Sequence, residues 1–242
     1  MPINKKYTRI FFDLDNTLWD FEKNSKVAME SSFKYFKLKE QDVIFKDFFK
    51  IYSHHNKVLW AAYRKREVLK KDLIRQRFQL TFDELHINKL VPEEMNEHYL
   101  NEMPKQKLLN EGALEVLEFL KSKRYKLFII TNGFREVQHK KLQSSGLMPY
   151  FEKVFISEEI KTPKPGREIF EYAIKSANAK KSESLMIGDD WEVDILGASN
   201  FGIDSVYYSP YKKTNSDLSH ENNIASCKTY KIINLKELKD LL

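Results

Sequence analysis

Between Phe45 and Tyr63 the large apolar residues Phe45, Phe48, Phe49, Tyr52, Leu59, Trp60 and Tyr63 recur at spacings of three, four and seven, which lines one face of a helix. The surrounding stretch, roughly 24–101, is rich in Lys, Glu, Leu and Phe and has no glycine, and Pro92 and Pro104 are the only prolines between Trp19 and Glu111. With these helix breakers nearly absent, the region is predicted to be all-helical, and Pro92 opens its last helix in the first turn, where a missing N–H is harmless. Elsewhere the pattern changes. Short β-branched or aromatic runs at 8–12, 125–130, 153–156, 184–187 and 204–208 alternate with amphipathic helical segments at 113–121, 136–144, 168–176 and 195–199. Near-continuous apolar strands alternating with helices predict a parallel sheet covered on both faces. The tail, 230–242, adds a short strand and a helix starting near Asn234, and 212–227 reads as a polar loop. The predicted fold is α/β, a doubly wound parallel sheet built from 1–18 and 106–242, with an all-helical domain at 19–105 inserted after the first strand.

Composition narrows the class without changing that picture. A chain of 242 residues, 42% hydrophobic and 31% charged, buries a core without needing metals or disulfides, and is neither disordered nor fibrous. Cys227 is the single cysteine, so no intrachain disulfide forms and a reducing compartment is expected. Ile10-Phe11-Phe12 is too short for a signal-peptide core or a membrane span, so a soluble, cytoplasmic protein with no membrane partner is expected. Lysine and arginine number 41 against 35 acidic residues, a net charge of +6. The excess is scattered, with Lys70-Lys71, Lys140-Lys141 and Lys212-Lys213 as isolated pairs, and reads as a solvated surface rather than a nucleic-acid track.

Open parallel sheets bind ligands beyond the carboxyl ends of their strands. The first strand is followed by Asp13-Leu14-Asp15-Asn16-Thr17, the second by Thr131-Asn132-Gly133, and the fourth by Gly188-Asp189-Asp190 with Asp194 a helical turn further on. Lys164-Pro165 opens the helix before the fourth strand. Taken singly, Asp15, Asp190 or Thr131 suits a helix N-cap or a turn, and Lys164 a solvated surface. Together they converge on one crevice. Carboxylates gathered there repel one another unless a cation neutralises them, and oxygen ligands with few His or Cys nearby favour Mg²⁺ over zinc.

Asp13-x-Asp15-x-Thr17, then Thr131, then Lys164, then Gly188-Asp189-x₄-Asp194 resembles the haloacid dehalogenase-like superfamily over essentially the whole chain. The resemblance implies phosphoryl transfer through an aspartyl-phosphate. In that scheme Asp13 is the nucleophile, and Asp15 protonates the leaving oxygen and then deprotonates the attacking water. Thr131, with the backbone around Asn132 and Gly133, binds the phosphoryl oxygens, and Lys164 balances the charge of Asp13 and the phosphate. Asp13, the main-chain carbonyl of Asp15 and Asp189 hold Mg²⁺, with Asp190 or Asp194 in or just behind that shell. The superfamily's dehalogenases lack the second aspartate and the metal, so Asp15 argues against dehalogenation. Receiver domains of two-component signalling also phosphorylate an aspartate, but they are about half this length and carry no Asp-x-Asp at the first strand.

Only 33 positions separate Thr131 from Lys164, so the large insertion is the helical one, which resembles the superfamily's small helical cap. A lid of this kind excludes water and favours small soluble monoesters over nucleic-acid polymers. The stretches 11–21, 129–134 and 156–159, with the segment around Leu59-Trp60, are similar to the bacterial 5′-nucleotidases that act on pyrimidine and noncanonical nucleoside monophosphates. Lys161-Thr162 and Asp190 depart from that group, where small or hydroxyl residues are common. Trp19, Phe21, Trp60 and Tyr63 are candidates to stack a base. The plainer reading, aromatics filling a core, weighs more for Trp60 and Tyr63 than for Trp19 and Phe21. His54-His55 lacks metal-ligand spacing and reads as helix surface. The expected partner is thus a small phosphate monoester, the expected assembly a monomer or homodimer. The alternatives are a sugar-phosphate or phosphoglycolate phosphatase or a phosphomutase on the same fold, and, more remotely, an inactive binding module.

Overall fold

A computed structural model describes residues 7–210, 221–224 and 227–242. Among the described residues the first element is strand β1 (Arg9–Phe12), followed by four long helices, α1 (Phe21–Tyr35), α2 (Phe45–Arg64), α3 (Lys70–Glu84) and α4 (Pro92–Glu102). Alternation follows: α5 (Ala113–Ser122), β2 (Lys126–Thr131), α6 (Arg135–Ser144), β3 (Lys153–Ile156), α7 (Ser157–Ile160), α8 (Arg167–Ser176) and β4 (Ser184–Gly188). After a π-helical turn at Trp191–Leu196 come α9 (Gly197–Phe201), β5 (Asp204–Tyr208), β6 (Glu221–Ile224), β7 (Cys227–Ile232) and α10 (Leu238–Leu241). No helix among the described residues is long and apolar enough to cross a membrane.

Among the described residues the strands form a seven-stranded sheet in the order β3-β2-β1-β4-β5-β7-β6, parallel throughout except for β6, which pairs antiparallel with β7. This is the doubly wound α/β sheet expected. From β1 the chain steps outward to β2 and β3, then returns to β4 on the other side of β1. Strand order therefore reverses between β1 and β4, the place where such sheets leave a crevice at their carboxyl ends. Two expectations at the tail are corrected. Glu221–Ile224, within the expected polar loop, is an edge strand whose polar sequence gives no apolar signal, and Cys227, placed in the same loop, opens β7 and is buried. The rest of that loop, 212–220 and 225–226, lies outside the described residues.

The chain divides into two compact units, Met1–Phe21 with Leu108–Leu242, and Glu22–Lys107. In the first, Phe11, Phe128, Ile130, Phe155 and Met186 of the strands pack with Ile169, Phe170 and Ala173 of α8 and Ala198 and Phe201 of α9. The residues between them, Ile10, Phe12, Leu127, Ile129, Leu185 and Ile187, are also buried. Side chains alternate across a strand, so both faces of the sheet are covered, each buried Phe or Ile contributing about 1.5–3 kcal/mol. The second unit is helical, as its glycine-free sequence predicts. Phe48 and Tyr52 of α2 meet Phe78 and Phe82 of α3 and Tyr99 of α4, with Tyr52 stacked on Phe78 at 4.9 Å. Arg77 is buried among these rings, its guanidinium bonded to Asn96 and, at 3.1 Å, to Asn56.

Candidate active site

Asp13 follows β1 at the switch point, and its N–H donates to the Ile187 carbonyl of β4 at 2.9 Å. The chain then turns tightly. Asn16 adopts a left-handed conformation (φ 63°), its N–H donates to the Trp19 carbonyl at 2.7 Å, and the Asn110 amide donates to the carbonyls of Asn16 (2.6 Å) and Thr17 (3.0 Å). Asn is among the few side chains that accept such a φ readily. The turn that presents Asp15 is therefore pinned from both ends.

Lys164 lies in the turn before α8 rather than within the helix, and Asn132 holds it there. The Asn132 side chain donates to the Lys164 carbonyl (2.9 Å) and accepts from the Lys164 N–H (2.8 Å). The Asn132 side chain thus seats the lysine, and the phosphate role expected here belongs to the backbone around it. The Lys164 ammonium, 1% exposed, donates to Asp13 Oδ1 (2.6 Å), Asp194 Oδ1 (2.6 Å) and the Ile130 carbonyl (2.8 Å). Those bonds use all of its donors. Burial pulls its pKa down, but Asp13 and Asp194 outweigh that and hold it above the ordinary lysine value.

Asp13, Asp189 and Asp194 each bring a carboxylate oxygen within 4.8 Å of the others. The Thr17 hydroxyl donates to Asp189 Oδ1 at 3.2 Å, and the Asp190 N–H to Asp194 Oδ2 at 3.2 Å. Gly188 makes this approach possible, because a Cβ there would stand 2.3 Å from Asp194 Oδ2. Burial pushes the Asp13 carboxyl up to about 7, Lys164 pulling it down and Asp194 and Asp15 repelling it. Burial, with repulsion from Asp13 and Asp194, carries Asp189 to about 9. Once ionised, these three carboxylates beside one ammonium carry two negative charges in excess, and every donor is a hard oxygen, which fits a divalent cation such as Mg²⁺. Asp190, also expected near the cation, is outside this cluster. Its Oδ1 caps the π-helical turn, accepting from the N–H groups of Glu192 (3.1 Å) and Val193 (3.0 Å), the N-cap use that a lone aspartate after a strand suggests.

The Thr131 hydroxyl accepts from Gln138 Nε2 (2.7 Å) and from the Gly133 N–H (3.1 Å). A hydroxyl accepts twice and donates once, so its proton remains to be donated elsewhere. Gly133 has no room for a side chain, since a Cβ would lie 2.2 Å from Gln138 Nε2. Asp15 has partners that the sequence did not announce. Lys141 Nζ lies 2.8 Å from Asp15 Oδ1, and Gln138 Nε2 donates to Oδ2 at 3.0 Å. Lys141 is buried, and its ammonium sits 4.3 Å from the centre of the Trp19 ring and 5.4 Å from that of Phe21. The sequence pairs it with Lys140 on a solvated surface, whereas the structure buries it against Asp15. The signal available was its place three residues beyond Gln138, on one face of α6. Trp19 is wholly buried beneath it and offers no exposed face to a base. Trp60 is half-buried on α2, edge-on to Tyr63 at 5.5 Å, within the helical unit. His55 pairs with Glu84 at 3.0 Å on the helix surface.

A family model described as haloacid dehalogenase-like hydrolase matches residues 7–202. The pyrimidine 5′-nucleotidase PynA of Streptococcus pneumoniae is 33% identical, over 98% of this chain and 95% of that one. The pyrimidine 5′-nucleotidase YjjG of Escherichia coli is 32% identical, over 98% of both. Among solved structures, the HAD-hydrolase YfnB of Bacillus subtilis, bound to magnesium, superposes with a TM-score of 0.83 at 27% identity, covering 97% of each chain. A sheet that turns back at Asp13, the lysine seated against it and the family match over most of the chain agree: this protein is an enzyme of the haloacid dehalogenase-like hydrolases.

Proposed function

We propose that the enzyme is a Mg²⁺-dependent phosphomonoester hydrolase working through an aspartyl-phosphate on Asp13, with pyrimidine or noncanonical nucleoside 5′-monophosphates as substrates. The observation that carries the reading is the Lys164 ammonium seated between Asp13 and Asp194 at the switch point of the sheet. The pyrimidine nucleotidases among its relatives support the choice of substrate.

A carboxylate approaches a phosphate dianion only where cations cancel the repulsion. Lys164 supplies one of them at Asp13 Oδ1. Asp13, Asp189 and Asp194, with the Asp15 carbonyl, would hold Mg²⁺, which supplies the remaining charge neutralisation when bound. Asp13 attacks phosphorus in line, forming one P–O bond as the bond to the leaving oxygen breaks. Asp15 gives that oxygen a proton, then takes one from the water that cleaves the acyl-phosphate, so one group serves both steps. The Thr131 hydroxyl donates its proton to a phosphoryl oxygen. These residues read only the phosphoryl group, so choice of substrate falls to the helical unit, acting as a cap.

The test is phosphate release from pyrimidine and purine 5′-monophosphates, phosphoglycolate and sugar phosphates, with Mg²⁺ and with EDTA. Turnover strongest on dUMP, dTMP or UMP and abolished by EDTA is expected. Turnover confined to sugar phosphates overturns the nucleotidase reading and keeps the chemistry. Transfer to a sugar acceptor instead of water points to a mutase, and folded protein with Mg²⁺ that releases no phosphate from any of them points to a binding module.

The carboxylates also set a pH dependence. Between the ordinary value of 3.8 and about 7, the metal-free folded chain keeps a proton on Asp13 that the unfolded chain has released, and at Asp189 the window extends to about 9. Stability of the metal-free protein therefore falls as pH rises through that range. Mg²⁺ needs the ionised carboxylates, so the gain in Tm on adding it is expected to grow from about pH 5 to about pH 8. Calorimetric scans showing a gain that is constant or shrinks with pH contradict this account.

A further inference from the structure

Two side chains on one face of α6 reach the site without a part in the chemistry described above. Lys141 and Gln138 take one oxygen each of the Asp15 carboxylate, at 2.8 and 3.0 Å. Gln138 uses its second N–H on Thr131, at 2.7 Å, so a single amide nitrogen spans the residue assigned to proton transfer and the residue assigned to phosphoryl binding. Lys141 is 2% exposed, lies over Trp19 and Phe21, and has Asp15 as its carboxylate partner. An ammonium is kept in such a place only when a paired charge and aromatic faces offset its desolvation. Gly133 completes the arrangement, since any larger residue would strike the bridging nitrogen.

We propose that Lys141 and Gln138 are positioning residues that fix the Asp15 carboxylate relative to the Thr131 hydroxyl, so that one helix aligns proton delivery with the bound phosphoryl group. The proposal rests on the reading of Asp15 as general acid and base given above. A purely structural ion pair would also bury these groups, so the test needs a readout that fold support does not move.

Dependence on the leaving group supplies it. A nucleoside 5′-monophosphate expels an alkoxide that must be protonated, whereas p-nitrophenyl phosphate expels a phenolate that leaves without help. Lys141→Met is expected to lower kcat/KM on the nucleotide by about 10²-fold, the cost of a small misplacement of a catalytic group, and only several-fold on p-nitrophenyl phosphate. Lys141→Arg, which keeps the cation, is expected to recover most of the loss. Gln138→Met provides a second arm with the same selective loss if the lysine variant fails to fold, and thermal melts establish that each variant is folded. Equal losses on both substrates, or no loss on either, overturn the proposal. Asp15→Asn is the benchmark, read as leaving-group release in the first turnover, because its second displacement is expected to stall. If that variant itself fails to discriminate between leaving groups, the acid assignment of Asp15 falls and the positioning role falls with it. If Asp15→Asn discriminates and folded Lys141→Met does not, the positioning role alone falls.

Discussion

Asp13→Asn is expected to lose phosphatase turnover by roughly 10⁴-fold or more while keeping its fold. The amide keeps the shape of the carboxylate but cannot form an acyl-phosphate, and no neighbour stands in for it. Asp15 is turned toward Lys141 and Gln138, Asp194 has its oxygens on Lys164 and the Asp190 N–H, and Asp189 accepts from the Thr17 hydroxyl. The variant also separates chemistry from stability. Burial, along with repulsion from Asp194 and Asp15, disfavours the charged form of Asp13, so a neutral amide there relieves the metal-free protein. Without Mg²⁺ at neutral pH, Asp13→Asn is expected to melt no lower than the wild type. Loss of activity with a clearly lowered Tm would point to a damaged fold instead.

Lys164→Met should fail in the opposite way, losing activity and stability together. Its ammonium compensates two carboxylates, Asp13 and Asp194, both buried, and holds the Ile130 carbonyl as well. Removing one member of such a buried set leaves uncompensated charge, at a cost of about 3–5 kcal/mol, or roughly 6–20 °C in Tm for a protein of this size. Because the injury is excess negative charge, acidification is expected to narrow the gap to the wild type as those carboxylates take up protons, and Mg²⁺ to narrow it at neutral pH. Thermal melts of both proteins across pH, with and without Mg²⁺, check this. A Tm within error of the wild type would mean that Lys164 does not bear the charge assigned to it.

The legible parts of the protein were those whose signal is local. The apolar runs of β1, β2 and β4 marked strands because a sheet buried on both faces permits few polar residues, and the polar clusters directly after them then had to fall at carboxyl ends. The helical unit was legible from the absence of breakers. Polar residues whose role depends on distant partners were not. Asp15 and Lys141 are 126 positions apart, and a lysine on a predicted amphipathic helix looks solvated until the sheet brings Trp19 and Asp15 beneath it. Nothing local in the sequence shows that the Asn132 side-chain amide closes onto the Lys164 backbone. Asp190 and Asp194 both follow β4 closely. Only the π-helical turn separates them, giving one to an N-cap and the other to the carboxylate cluster. By position Trp19 suits a base platform, but the tight turn after Asp13 carries it into the interior.

The most direct test of the account is to trap the acyl-phosphate. Asp15→Asn removes the group proposed to activate water, so with acetyl phosphate, whose leaving group needs no proton, the first displacement is expected to proceed and the second to stall. Acid quench followed by mass analysis of the intact protein and its peptides is predicted to find one added phosphoryl group, dependent on Mg²⁺, on the peptide that contains Asp13. The same treatment of the double variant carrying Asp13→Asn should leave the protein unmodified. Absence of the adduct from folded Asp15→Asn protein, with the wild type hydrolysing the same substrate, would contradict covalent catalysis by Asp13.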